Sequence, residues 1–365
     1  MGLKCGITGL TNVGKTTIFN CFSNTKGEVT NFSFSTDKSN IGSVKVPDNR
    51  LYELEKHQPT EKIIKVAVDI VDIPGLAKGA SHGEGIGNKF LGDLRNTDAV
   101  IHVLRCFDDD NLPHIEGSVD PIRDKELIDL ELGVADLETI EKKIQRIQKA
   151  AKVGEKDAKK ILESLEKFKN HLENFQPART GDFTDFDRDV VKELSLLTMK
   201  PVVYVCNVDE KSAVKGNKYT EAVFEKLKNE NTEILIIAAA MEAEIAELES
   251  EAERKEFLND AGLAEPGVDK LIRAAYKLLK LKTFFTVGPK EIRAWTIKDG
   301  MTAPEAAGVI HSDLERGFIR AEVMKYDDFI ALGSEAKCKE SGKFHVEGKT
   351  YIVEDGDILN IRFNV

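Results

Sequence analysis

Cysteine is scarce in this chain and poorly placed for crosslinking: Cys5, Cys21, Cys106, Cys206 and Cys338 are odd in number and form no C-x-x-C pair. Four of them sit in or beside apolar runs, which argues against a disulfide framework and predicts buried, reduced thiols. No cysteine–histidine pairing stands out for thiol catalysis, and the seven histidines lack metal-ligand spacing, so a zinc site is unsupported. No stretch approaches the roughly 18 uninterrupted apolar residues of a membrane span. Residues 1–9 read as a strand entering a glycine turn, not as a leader peptide, so a cytoplasmic protein is expected. Excess basic charge is missing too: 63 acidic against 52 basic residues give a net charge of -11, which argues against a protein coated in nucleic acid but leaves room for a local basic patch. Internal repeats and low-complexity linkers are absent. What remains, 41% hydrophobic and 32% charged over 365 residues, predicts a folded protein of two or three domains.

Residues 3–10 form a short apolar run ending in Gly9-Leu10-Thr11-Asn12-Val13-Gly14-Lys15-Thr16-Thr17, after which Ile18, Phe19 and Phe22 fall at helical spacing. A full G-x-x-x-x-G-K-[ST] match thus lies between a strand and a helix, the context a phosphate-binding loop requires. Backbone N–H groups from Asn12, Val13, Gly14, Lys15, Thr16 and Thr17 would curl around phosphates at a helix N-terminus, Lys15 would reach the outer phosphates, and the Thr16 hydroxyl would ligate Mg2+. A second apolar strand runs into Asp72-Ile73-Pro74-Gly75. Here Asp72 is expected to hold the metal through water and the Gly75 N–H to sense the terminal phosphate. Residues 77–88 follow with Gly79, Gly83, Gly85 and Gly87, a loop that only a ligand would order. In the polar loop after the first helix, Thr36 is the best candidate for a second Mg2+ hydroxyl.

A third strand, Pro201-Val202-Val203-Tyr204-Val205-Cys206, leads into Asn207-Val208-Asp209-Glu210, where guanine-specific members of this fold carry N-K-x-D. The aspartate of that motif accepts hydrogen bonds from guanine groups that adenine lacks. Val208 replaces the lysine, and Glu210, one methylene too long for the bidentate grip, replaces the aspartate. Asn207 and the backbone at Val208 would still hold adenine. Small residues after the next strand, Ala239 and Ala240 among them, would let backbone approach the base. The ordered set Gly9 to Thr17, Thr36, Asp72 to Gly75, the glycine-rich loop and Asn207 to Glu210 resembles the YchF family of Obg-like ATPases over the whole chain. The resemblance implies a translation-factor-class P-loop fold that prefers ATP, with a C-terminal TGS domain. The family usually has proline at Thr11 and N-x-P-F-C-T where Asn31-Phe32-Ser33-Phe34-Ser35-Thr36 stands, departures that concern loop stiffness and leave the phosphate-contacting atoms in place.

Residues 108–200 exceed the single helix that a minimal domain would place between its strands. Leu127, Leu130, Val134, Leu137, Ile140, Ile144, Ile147 and Ala151 recur at helical steps; Gly154 interrupts; Ala158, Ile161, Leu165, Phe168, Leu172 and Phe175 resume. Two narrow stripes predict an inserted antiparallel coiled-coil hairpin. Residues 141–179 hold 11 basic against 6 acidic side chains, so a +5 arm projects from a body of about -16. Lys142, Arg146 and Lys149 share one helical face, suited either to phosphate backbone or to solvent. From about residue 283 the texture becomes short β-rich runs, 283–287, 293–297, 318–323, 349–353 and 357–363, around one helix at 303–311, an α+β grasp that the resemblance names TGS. Its 11 basic and 14 acidic residues give -3, although Lys290, Arg293, Arg316 and Arg320 could form a patch.

The expected fold class is therefore α/β, a P-loop NTPase G-domain with an inserted coiled-coil hairpin and a C-terminal β-grasp. Its expected segments are a nucleotide domain at 1–122 and 200–281, the insertion at 123–199 and the TGS domain at 282–365. The leading functional expectation is a monomeric ATP-hydrolysing switch, with the ribosome as the partner the resemblance implies, and neither membrane attachment nor DNA specificity. A GTPase of the same fold and a nucleotide-holding RNA scaffold are the rivals. The scaffold matters because Leu76 stands where many switch enzymes place a water-orienting glutamine. His114, in a polar loop leaving the C-terminal end of a sheet strand, is the candidate to orient or deprotonate water instead, with Lys15 and Gly75 completing the catalytic set. A monovalent cation beside Asn12 is a further cofactor to consider.

Overall fold

The computed structural model describes residues 3–24, 29–33, 40–75, 86–152, 157–230 and 232–364. From the N-terminus run β1 (Lys4–Thr8), α1 (Lys15–Asn24), β2 (Val29–Ser33), β3 (Asn40–Lys45), α2 (Arg50–His57), β4 (Ile63–Ile64), β5 (Ala67–Asp72), α3 (Ile86–Arg95) and β6 (Ala99–Arg105). The insertion follows as α4 (Pro121–Lys152), α5 (Ala158–Glu173) and α6 (Asp185–Lys192). The chain then returns to β7 (Val202–Asn207), α7 (Lys218–Leu227), β8 (Glu233–Ile237), α8 (Ala239–Glu247), α9 (Glu251–Asp260) and α10 (Gly267–Leu278). The last stretch holds β9 (Leu281–Val287), β10 (Ile292–Lys298), α11 (Ala303–Ile310), α12 (Ser312–Arg316), β11 (Phe318–Lys325), α13 (Tyr326–Leu332), α14 (Glu335–Glu340), β12 (His345–Glu347) and β13 (Asp357–Phe363). No helix among the described residues is long and apolar enough to cross a membrane. All five cysteines are buried free thiols, as expected.

Two compact units emerge: residues 1–44 with 69–271, and residues 45–68 with 272–365. The first is built on a seven-stranded sheet in the order β2-β3-β5-β1-β6-β7-β8. From β5 to β8 the neighbours are parallel, while β2 and β3 pair antiparallel. Every residue of β6 and β7 is buried, as strands covered by helices on both faces must be.

In the insertion, Ile140 and Ile144 of α4 pack with Leu165, Phe168 and Leu172 of α5, so the distal half of the expected stripe is a real core. The proximal half differs. Leu130 is exposed, and Ile128, Leu132 and Ala135 are buried instead, alongside Asp124, Lys125, Asp129 and Asp136, because here α4 lies against β6 and α7 instead of a lone partner helix. Phe175 leaves the second stripe as well: α5 ends at Glu173, and a left-handed turn (φ 58°) leaves the ring 76% exposed.

The second unit has a mixed sheet, β12-β11-β13-β9-β10-β4, with β13 parallel to β9. The alanines of α11, Ala303, Ala306 and Ala307, pack on Phe284, Ile297, Phe318, Val323 and Leu359. This is the helix-on-sheet arrangement of a grasp, with one expected strand replaced. Residues 349–353 make only a single bridge, Ile352 with Thr302, because the Tyr351 carbonyl and Val353 N–H bond to the start of α11; His345–Glu347 supplies the edge strand. The expected assignment of residues 45–68 to the nucleotide domain also needs correction. Ile63 and Ile64 pair with β10, and Arg50 bonds to Asp355 (2.7 Å) and lies over the Phe285 ring, which ties this segment to the C-terminal sheet. Arg293 on β10 and Arg320 on β11 are separated by β9 and β13, and Arg316 pairs with Asp313, so the expected basic patch does not gather.

Candidate active site

The loop between β1 and α1 folds as a phosphate cradle because its glycines stand where no other residue fits. Gly9 (φ 152°) would place a Cβ 2.5 Å from the Val103 carbonyl oxygen, and Gly14 (φ 97°) would place one 2.2 Å from Asn207 Nδ2. Asn12 tolerates φ 63°, and its Nδ2 donates to the Pro113 carbonyl at 3.5 Å. Lys15 opens α1, and its buried ammonium bends back to the Leu10 carbonyl (2.5 Å). Burial pushes the Lys15 ammonium down to about 8, partly opposed by Asp72.

Asp72 ends β5, in register with Ile7 of β1, and this pairing sets it beside the cradle. The Thr16 hydroxyl donates to Asp72 Oδ2 at 3.3 Å. Burial pushes the Asp72 carboxyl up, against the pull of Lys15 and Thr16. A hydroxyl and a carboxylate facing one another are the hard oxygen donors that Mg2+ takes alongside phosphate and water, so these two side chains fit the ion. A Cβ on Gly75 would sit 3.1 Å from Lys15 Nζ, so Gly75, Lys15, Thr16 and Asp72 converge. They line a cleft of about 700 Å3 whose walls also include Thr11 to Gly14, Thr17, Asn207, Ala239 and Ala240.

At the base end the geometry departs from expectation. Asn207 donates from Nδ2 to the Val13 carbonyl (2.9 Å) and accepts from the Ala239 N–H at Oδ1 (3.0 Å), so its amide fastens the cradle to α8 while still facing the cleft. Val208 is buried with its N–H on the Ile237 carbonyl (2.9 Å), and Glu210 is exposed in a short turn; neither lines the cleft. His114 also stands apart from the cleft wall. Its side chain is 3% exposed, Nδ1 accepts from the Glu116 N–H and Nε2 meets Asp124 Oδ2 at 2.8 Å. As placed, both ring nitrogens serve the loop and the ring is not part of the cleft wall. Thr36, Gly79, Gly83 and Gly85 lie outside the described residues.

Five cleft residues escaped the sequence reading: Asn40, Lys89, Phe107, Asp109 and Leu112. The last three follow β6 at the C-terminal edge of a central strand, where ligands sit in open α/β sheets. That signal was available, and it pointed to the loop but not to the residues within it.

A family model described as "50S ribosome-binding GTPase" matches residues 4–208, and the YchF GTPase C-terminal model, described as "Protein of unknown function (DUF933)", matches residues 281–364. The "Ribosome-binding ATPase YchF" of Bacillus subtilis (strain 168) is 50% identical, and that of Escherichia coli O157:H7 48% identical, each over 100% of both chains. This chain belongs to the YchF family. The solved structure titled as the Schizosaccharomyces pombe YchF GTPase superposes with a TM-score of 0.88 at 34% identity, covering 99% of this chain and 98% of that one. YchF membership makes the cleft that of a P-loop nucleoside triphosphatase.

Proposed function

We propose that this chain is a cytoplasmic, ribosome-associated ATPase that acts as a nucleotide-dependent switch, hydrolysing ATP to ADP and phosphate. The observation that carries this reading is the convergence of Lys15, Thr16, Asp72 and Gly75 in one cleft. On binding, the Lys15 ammonium would exchange the Leu10 carbonyl for the outer phosphates, and the cradle N–H groups would donate to the remaining phosphate oxygens. Mg2+, held by Thr16 and Asp72 with Thr36 as the further hydroxyl, would neutralise charge on the same phosphates. The Gly75 N–H would respond to the terminal phosphate, and Lys89 would add a second cation to the wall; both residues line the cleft. A monovalent cation beside Asn12 would supplement them.

ATP is favoured over GTP because the aspartate of the guanine clamp is replaced: Glu210 stands in its place and faces solvent, and Val208 replaces the lysine. The loss of polar pairing is worth about 1–3 kcal/mol, so ATP should bind at least several-fold more tightly. The names of the yeast relative and of the N-terminal family model keep a GTPase reading in play. Direct titration with both nucleotides, followed by hydrolysis assays with and without ribosomes, separates them. Equal affinities would refute the ATP preference, and turnover indifferent to ribosomes would refute the association.

A further inference from the structure

We propose that Arg105 is a positioning residue for nucleotide binding: it holds residues 107–112 as the base-side wall of the cleft and so sets how tightly a purine is gripped. The inference rests on the nucleotide reading of the cleft, not on which purine fills it. Arg105 ends β6 and is 1% exposed. Its Nε donates to the Phe107 carbonyl (3.1 Å), Nη1 to that of Leu112 (2.8 Å) and Nη2 to that of Asp109 (3.4 Å). None of these hydrogen bonds goes to a carboxylate. The three residues whose carbonyls it holds are the same three that this loop contributes to the cleft wall.

A buried charge must be satisfied, and a planar fork of five N–H donors can span three carbonyls where a point-like ammonium cannot. The guanidinium also lies over the Phe107 ring, 4.7 Å from its centroid, and that ring lines the cleft. The sheet order fixes which end of the cleft this is. Asp72 lies on β5, to one side of β1; the loop leaves β6 on the other side, where the Cys106 N–H donates to the Asn207 carbonyl (2.8 Å). The loop therefore stands between the cradle, which Pro113 touches through Asn12, and the Asn207 end of the cleft, the end where the base motif of the sequence lies. Tyr219, through Asp108, and Asn217, through the Cys106 carbonyl, hold the loop's outer side, so changing Arg105 should misplace the wall without unfolding it.

The test is the full-length Arg105→Lys variant titrated with ATP, GTP and inorganic triphosphate, with KM and kcat measured for ATP. Losing a stacked base contact predicts about tenfold weaker binding of both nucleotides. Inorganic triphosphate, which has no base, should bind as before, and KM should rise with kcat nearly unchanged. Equal losses for all three ligands, or no loss for any, overturn the proposal. Should Arg105→Lys fail to fold, Phe107→Ala on the native background must show the same signature, and unchanged ATP affinity in that variant overturns it. A wild type that binds GTP as tightly as ATP removes the ATP preference and leaves this proposal standing; one that binds neither removes both.

Discussion

Lys15 and His102 are both buried bases with lowered pKa values, and the consequences differ because only Lys15 lines the cleft. Phosphates bound in the cleft would stabilise Lys15 as a cation. Lys15→Ala should abolish ATP and GTP binding, and nucleotide affinity retained in a titration would remove the cradle assignment. His102 has no such partner. Its ring packs beside Tyr204 on the neighbouring strand, Nε2 has no hydrogen-bond partner, and burial pushes it down to about 3, with Asp129 opposing. A base with a lower pKa in the fold than in the unfolded chain carries fewer protons when native, so stability is lost as pH falls from about 6.5 towards about 3. The slope reaches about 1.4 kcal/mol per pH unit. His102→Gln should flatten the stability profile across that window in urea unfolding at several pH values; an unchanged slope would show that other groups dominate.

Among the elements, the loop after β6 and the helix α4 show how one buried contact can redirect a side chain. His114 sits on Asp124, whose other oxygen is taken by Arg123, so the N-terminal turn of α4 anchors the loop. His114→Ala leaves a buried carboxylate oxygen unpaired and should cost about 1–3 kcal/mol in chemical unfolding. A variant of undiminished stability would argue against the anchoring role and return the histidine to consideration as a mobile catalytic group. Further along α4, Lys142 and Arg146 are exposed, Lys142 reaching only a loose pairing with Glu138 at 3.6 Å; the Lys149 side chain lies outside the described residues. Exposed i,i+4 pairs are weak and easily exchanged for phosphate contacts. Neutralising Lys142, Arg146 and Lys149 together should flatten the slope of log ribosome affinity against log salt by roughly 2 to 3 units while ribosome-free hydrolysis persists. Unchanged affinity and slope would mark the stripe as a solvated helix face.

For the molecule as a whole, the division into two units follows proximity in space, not chain order. Arg50 lies between two nucleotide-site strands in sequence, yet it bonds to Asp48 and Asp355 and covers Phe285. Arg50→Ala should cost the second unit about 1–2 kcal/mol. Hydrogen exchange should quicken in β9 and β10 while β1 and the cradle keep their protection, and uniform quickening would contradict the division. Local pattern was enough for the strand, cradle and helix around Lys15 and for the placement of Asp72 three residues before Gly75, short segments whose backbone chemistry permits few alternatives. The distal stripes of the hairpin were legible for the same reason, since helical periodicity is written in neighbouring residues. The rest came from packing between distant segments and within loops. Glu210 turns to solvent, Asn207 becomes a tie, His114 is captured by Asp124, residues 45–68 join the C-terminal sheet, and Arg105 organises a wall of the cleft. Some of these partners are ten or fewer residues apart and others more than three hundred. They meet only because packing offered each buried polar group a carbonyl, carboxylate or N–H to satisfy it, a choice that no local pattern encodes.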